Sequence, residues 1–334
     1  MRNVVFSLVF IMFLAIPVKA QNFVDEAYVD MRGGFEQAVS SDSWNKGFHV
    51  NYLNIHVKGH VSESVTYTFR HRLTKPVYDK NNPLNATDFA WLTWQATPKF
   101  SLTAGKQPVW FGTYEFDADP IDIFCWSHAI ADLWQYYTLG LSATYEVAPS
   151  QNLYFQISQS PLSLGITDCF SYSIYWNGSF APWWHTTWST NFVDSEPGIM
   201  AGYLVLGNRF NFGRFLIDAD FIAKTSFSRG LFEFPDDTGI LLAKYQMDKL
   251  NLCLKGVWDY NSASNILKDR PGTSWDVVVP AGTDIKQISA GVEYFPLSNK
   301  NIRLHAFYGW ASNMENVHII ETGLTWRFDL CKRN

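Results

Sequence analysis

The feature that most constrains this chain is a polar–apolar alternation of period two that recurs in segment after segment. Side chains of an extended strand point to opposite faces in turn, so alternation means one apolar stripe and one wet stripe. From Leu53 to Val61, Leu53, Ile55, Val57 and Val61 share one face, and Asn54, His56, Lys58 and His60 the other. Val65, Tyr67 and Phe69 oppose Thr66, Thr68, Arg70 and Arg72. Late in the chain Ile302, Leu304, Ala306 and Tyr308 oppose Arg303 and His305, and Leu324, Trp326, Phe328 and Leu330 oppose Thr325, Arg327 and Asp329. Continued along the sequence, the pattern predicts about sixteen strands: 26–37, 47–60, 64–74, 87–96, 100–110, 136–147, 151–160, 171–180, 184–193, 200–210, 214–224, 238–246, 249–260, 285–295, 301–311 and 317–329.

The connections carry the next step. Tight turns around Ser62-Glu63, Pro98-Lys99, Pro149-Ser150, Pro182, Phe212-Gly213, Met247-Asp248 and Pro296 to Lys300 are interleaved with generally longer, irregular stretches. Transmembrane barrels combine short periplasmic turns with longer outer loops and need an even strand count when both termini lie on one side. A soluble sandwich has no reason to keep this two-sided pattern. The expected fold is therefore all-β, a transmembrane antiparallel up-and-down barrel of about sixteen strands. The final strand, with Gly323 followed by Leu324, Trp326 and Phe328, looks like the signal by which barrel assembly machinery receives its clients, although Asp329 to Asn334 follow it.

The N-terminus reads as a targeting segment. Arg2 is basic, Val4 to Ile16 is apolar, and Val18-Lys19-Ala20 ends in a small residue suited to a signal peptidase. We expect residues 1–20 to be a signal peptide and 21–334 the barrel. No later stretch offers about 20 consecutive apolar residues, which excludes a helical inner-membrane protein. Aromatics make up 17% of the chain while hydrophobic residues reach only 47%, a mixture suited to lipid-facing strands with aromatic girdles. A Trp-rich secreted binding protein would share it. The leader removes two basic residues and no acid, taking the formal charge from −5 to −7, which argues against a nucleic-acid partner. Cys125, Cys169, Cys253 and Cys331 form no CxxC pair, so a metal cluster is not expected, and a Cys125–Cys169 bridge is open to an exported chain.

A barrel this wide leaves an aqueous channel that side chains alone do not fill. The long stretch Phe111 to Gln135, after the fifth strand, is the candidate for a constriction loop folded into the lumen. It carries Glu115, Asp117, Asp119, Asp122 and Asp132 with no Lys or Arg, and its Phe, Tyr and Trp residues favour packing over solvation; a solvated acidic surface loop is the alternative. On the wall, a tight turn near Glu63 pairs Lys58 with Thr68, His56 with Arg70 and Asn54 with Arg72. Closure then sets Arg303, Arg327 and Arg32 on contiguous strands. Arg32, Lys58, Arg70, Arg72, Arg303 and Arg327 are thus the candidate pore-lining basic residues, diluted by Asp30 and Glu321. An acidic loop facing them across water would orient dipolar solutes and give modest ion preference. His56 and His60, about 13 Å apart as i and i+4 of a strand, are too far apart to share a metal.

No GxSxG, HExxH or Gly-rich phosphate loop is present, so neither an enzyme nor a cofactor is expected. A secreted carbohydrate-binding or adhesion protein, suggested by Trp183-Trp184 and Trp188, and a non-conducting scaffold barrel are the other readings.

Leu102-Thr103-Ala104-Gly105-Lys106-Gln107, with Phe111-Gly112 and Tyr114-Glu115 after it, resembles the Gly-Lys strand and following loop of the phosphate-selective porin O and P family, in its Bacteroidetes-type members. Tyr175 to Phe180 and Leu206 to Gly213 look similar to later strands of the same proteins. The resemblance implies a sixteen-stranded porin of the Gram-negative outer membrane, often a homotrimer, its third loop in the lumen, passing small hydrophilic solutes or ions by passive diffusion. Phosphate or anion selectivity is the alternative the family brings. Phosphate-selective members use clustered basic residues at the constriction, whereas this loop is acidic, and alternation points Lys106 outward unless a bulge intervenes.

Overall fold

The computed structural model describes residues 23–77, 84–131, 137–163, 167–197, 199–226, 234, 236–262, 279, 282–312 and 316–332. Residues 1–20, read as a leader, and Asp132 lie outside the described residues. Sixteen antiparallel strands close into one barrel, each paired with its neighbours in sequence and β1 with β16. They are β1 (Val24–Val39), β2 (Trp44–Ser62), β3 (Val65–Arg72), β4 (Thr87–Thr97), β5 (Phe100–Pro108), β6 (Tyr137–Ala148), β7 (Gln151–Gln159) and β8 (Phe170–Ala181), then β9 (Trp184–Glu196), β10 (Ile199–Phe212), β11 (Phe215–Ser226), β12 (Asp236–Gln246), β13 (Leu250–Asn261), β14 (Thr283–Tyr294), β15 (Ile302–Ala311) and β16 (Val317–Lys332). Each predicted strand is present, with ends moved by up to three residues. The predicted register Lys58–Thr68, His56–Arg70 and Asn54–Arg72 is the observed one.

The alternation is expressed as an apolar exterior. Leu92, Leu141, Leu241, Leu254 and Ile288 are each between 52 and 60% exposed on the outer face, which no protein kept in water would sustain over a whole circumference. The matching inward residues, such as Gln156, Ser173, Asn191 and Asp218, are buried and polar. At the rim carrying the tight turns, Trp183, Trp184, Phe210 and Phe212 stack against one another, Trp183 and Phe212 with centroids 5.6 Å apart, and Phe180 lies tilted on Trp184 at 4.9 Å, a fragment of an aromatic girdle. Gly213 turns the β10–β11 hairpin at φ 64°, a conformation that suits glycine. At the opposite rim two connections are shorter than the expected pattern, residues 40–43 between β1 and β2 and 197–198 between β9 and β10, because these strands run on as long hairpins.

The four cysteines are free thiols, Cys125, Cys169 and Cys253 buried and Cys331 exposed. The bridge between Cys125 and Cys169 is absent: Cys125 Sγ lies instead 3.3 Å from Ser289 Oγ on β14. No helix among the described residues is long and apolar enough to cross a membrane.

Candidate functional site

The segment after β5 leaves the wall at Val109 and does not return before residue 131. It carries two one-turn helices, α1 (Tyr114–Asp117) and α2 (His128–Ala131), with a 3-10 turn at Pro120–Asp122 between them. The Thr113 side chain caps α1 by accepting from Phe116 N at 3.1 Å. Every side of the segment meets inward-facing residues of the barrel. Trp110 O accepts from Asn191 Nδ2 (2.6 Å), Gly112 N donates to Ser189 Oγ (3.0 Å), and Tyr114 N to Asp220 Oδ1 (3.1 Å). Farther round, Gln287 Nε2 donates to Trp126 O (2.8 Å), and Arg32 donates to the carbonyls of Ile123 and Phe124. Partners on β1, β9, β11 and β14 lie around most of the circumference, so the segment is folded into the barrel and is not a surface loop.

An apolar seat fixes it there. Val109, Phe111 and Ile130, each at most 1% exposed, pack on Val193, Ala201, Tyr203, Val205, Ile222, Ile240 and Val257, which belong to the inner faces of β9 to β13. The inner faces of β9 to β13 thus carry an apolar patch among polar residues such as Ser189, Asn191, Asp220 and Lys255. Gly112 is required by the same approach, since a Cβ there would stand 2.7 Å from Thr187 O.

Two of the predicted acids, Asp119 and Asp122, are in direct contact with predicted cations. Asp119 lies 3.4 Å from Arg70 and 3.2 Å from Arg327; Asp122 lies 3.2 Å from Arg303 and 3.9 Å from Arg327. Arg70 and Arg72 also share Asp88, at 3.2 and 2.8 Å, Arg303 reaches Glu293 at 3.4 Å, and Arg32 pairs with Glu321 at 3.5 Å. Lys58 is not among them: half-exposed near the turn rim, it pairs with Glu26 at 3.5 Å. Glu115 turns away from the arginines and is buried against Lys255 Nζ at 2.6 Å, and Asp117 accepts from the Tyr175 hydroxyl at 2.5 Å. Crowding by neighbouring protein atoms pushes the Asp117 carboxyl up to about 7 against the opposing pull of Tyr175 and Arg209, and the residue's exposure to water works against that rise. The Asp122 carboxyl is raised for the same reason, against Arg303 and Arg327.

Between α1, the 3-10 turn and the wall of β10 to β13 lies a cavity of about 130 Å³, bordered by acids (Glu115, Asp122, Asp218, Asp220) and bases (Arg209, Lys244, Lys255). His56 and His60 have separate carboxylate partners, Asp30 and Asp25, each at 2.9 Å. Lys106 belongs to neither group. The pairing of β5 runs unbroken through Gly105 and Lys106, and Lys106 is buried with Nζ donating to Leu84 O at 2.7 Å, under the β3–β4 connection. Lys255, Asp88, Asp220 and Glu293 were not singled out from the sequence. Each sits on a wet stripe, but only the path of the inserted segment tells which wet residues it touches.

A closed sixteen-stranded barrel with an apolar exterior, a charged interior and a segment folded into that interior has the architecture of an outer-membrane porin. The family resemblance is borne out as well: the sequence model of the phosphate-selective porin O and P family matches residues 27–178. Among solved structures, the chain is similar to the anion-selective porin from Comamonas acidovorans (TM-score 0.65, 9% identity, 90% of this chain and 98% of that one). It is also similar to OmpF of Salmonella typhi in complex with daunomycin (0.62, 13%, 93% and 99%) and to the trimer form of OmpT, an outer-membrane protein of Vibrio cholerae (0.57, 14%, 91% and 99%). At these identities the likeness shows the fold. Comparison with curated proteins finds no match.

Proposed function

We propose that this chain is a porin of the outer membrane through which small hydrophilic solutes and ions diffuse passively, with modest charge selectivity set where the inserted segment narrows the lumen. The observation that carries the reading is the segment 109–131 inside a closed barrel, fixed to the wall yet bordering a small polar cavity. A seated segment restricts the passage by size. Charge discrimination is weak because Arg32, Arg70, Arg72, Arg303 and Arg327 each have a carboxylate within 4 Å, which leaves little net field for a passing ion. The role involves no catalytic step. Residues 1–20 serve as the cleaved export signal, and trimeric assembly is supported by the trimer form of a structural neighbour.

A second reading, a phosphate- or anion-selective pore, is favoured by the family description. The pairing of each predicted arginine with an acid speaks for the weaker selectivity. A liposome-swelling series with graded sugars and anions separates these readings. We expect swelling rates that fall steeply with sugar size and differ little between anions and cations of equal size. Liposomes that admit no solute at any size would overturn the porin reading, and exclusion of cations would install the anion-selective one. Recovery in the soluble periplasm would favour a secreted binding protein.

A further inference from the structure

Four residues beyond Arg32 toward the loop rim, the inner wall carries a cluster that the pore reading leaves unused. Glu36 on β1 is paired in register with Glu321 on β16, and His49 on β2 lies across from Gly34, two residues before Glu36. One ligand atom from each of Glu36, His49 and Glu321 lies within 4.8 Å of the other two. The register irregularity after Arg32 in the β1–β2 pairing sets His49 on the inward face, between the outward Phe48 and Val50.

We propose that Glu36, His49 and Glu321 form a binding site for a divalent transition-metal ion of the zinc class on the inner wall of the barrel. Three observations carry this. First, the donor set is one imidazole and two carboxylates, the mixed nitrogen–oxygen chemistry that suits zinc and its neighbours better than calcium or magnesium. Second, the His49 Nε2 atom is shielded from solvent and has no hydrogen-bond partner, although the residue as a whole is only half-buried. A desolvated nitrogen with nothing to bond is costly, and a metal ion would satisfy it. Third, Glu321 is held from behind: its Oε1 meets His305 Nε2 at 2.8 Å and Arg32 Nη2 at 3.5 Å, which leaves Oε2 for the ion. Such outer support fixes a ligating carboxylate.

The geometry is close to what zinc needs. Ligands about 2.1 Å from a tetrahedral ion stand about 3.4 Å apart, so side chains within 4.8 Å of one another have to close by up to about 1.4 Å. Two carboxylates neutralise a divalent charge. Arg32 beside Glu321 works against a second net positive charge, so the site holds its ion exchangeably, with the remaining position open to water. The binding site stands on the wall geometry alone, and only its place on a solute path rests on the porin reading.

The test uses the purified, refolded full chain and Zn2+ as the probe, with assembly of each variant checked by its heat-modifiable mobility. Equilibrium dialysis is expected to give one Zn2+ per barrel in the wild-type protein, with affinity lowered at least tenfold in both H49Q and E36Q. If H49Q fails to assemble, E36Q, whose side chain is only half-buried, decides alone. No retained Zn2+ in the wild type, or retention that is equal in the assembled variants, overturns the proposal. In bilayers, Zn2+ is expected to lower wild-type conductance and to leave E36Q unaffected. A barrel that binds Zn2+ yet never conducts would remove the porin reading and keep the site.

Discussion

Among the acids of the inserted segment, Asp117 and Asp122 both have raised carboxyls, and that of Asp117 is raised to about 7. The Asp117 carboxyl is largely protonated about one unit below 7 and largely ionised about one unit above it. Raising pH through that window adds negative charge to the lumen, so the reversal potential in planar bilayers should move toward cation preference. Asp117→Asn should flatten the shift, and an undiminished shift in that variant would count against Asp117 as its source. The Glu115–Lys255 pair behaves differently, because both side chains are almost wholly buried at 2.6 Å. Removing one partner strands a charge at a cost of about 3–5 kcal/mol, while removing both is milder. Lys255→Met should therefore loosen the segment and raise single-channel conductance, and the double variant with Glu115→Gln should restore much of the wild-type value. The acidity of Asp117 and Glu115 was legible in the sequence. Their partners were not, since 140 residues separate Glu115 from Lys255.

At the scale of elements, the strands were the most legible part of the molecule because period two survives the whole length of each. The inserted segment was legible as a long, acidic, aromatic-rich stretch, but its seat was not. Val193, Tyr203, Val205, Ile222 and Val257 read as ordinary members of strands, and only the closed barrel shows that this patch of its inner wall is apolar and covered. Phe111 is the centre of that contact at 0% exposure, with Tyr203 at 5.7 Å and Phe116 at 5.4 Å between centroids. Phe111→Ala should cost the docking about 3–5 kcal/mol. The expected readout is faster swelling with the larger sugars and new protease cleavage within residues 109–131, from a barrel whose own strands remain intact. Gly105, in the motif that carries the family resemblance, adopts φ 133°, and a Cβ there would fall 2.2 Å from Ala90 O. Its place in the motif is therefore structural, and it does not make Lys106 a ligand.

For the whole molecule the balance of charge across the lumen decides what passes. Asp119 and Asp122 bridge the segment to Arg70, Arg303 and Arg327, so replacing both acids with asparagine removes two negative charges from beside three guanidiniums, which keep Asp88, Glu293 and Asp30 as acidic partners. Reversal potentials of D119N/D122N should move toward anion preference, and an unchanged potential would show that ions do not pass this edge of the segment. Reversing Arg70 and Arg72 is a poorer probe, since two new acids would be forced against buried Asp88. Taken by itself, the sequence determined the approximate strand number, the neighbour-to-neighbour order, the register of β2 on β3 and the lipid-facing side of the strands with the clearest alternation. These follow from local alternation and short turns, which act within a few residues. Only the tertiary structure decided that Asp119 and Asp122 touch arginines instead of facing them across water. It likewise decided that Lys58 stands apart, that Cys125 and Cys169 remain separate thiols, and that Glu36, His49 and Glu321 converge. Each of those outcomes depends on barrel closure and on one segment's path through the lumen, both of which join residues far apart in the chain.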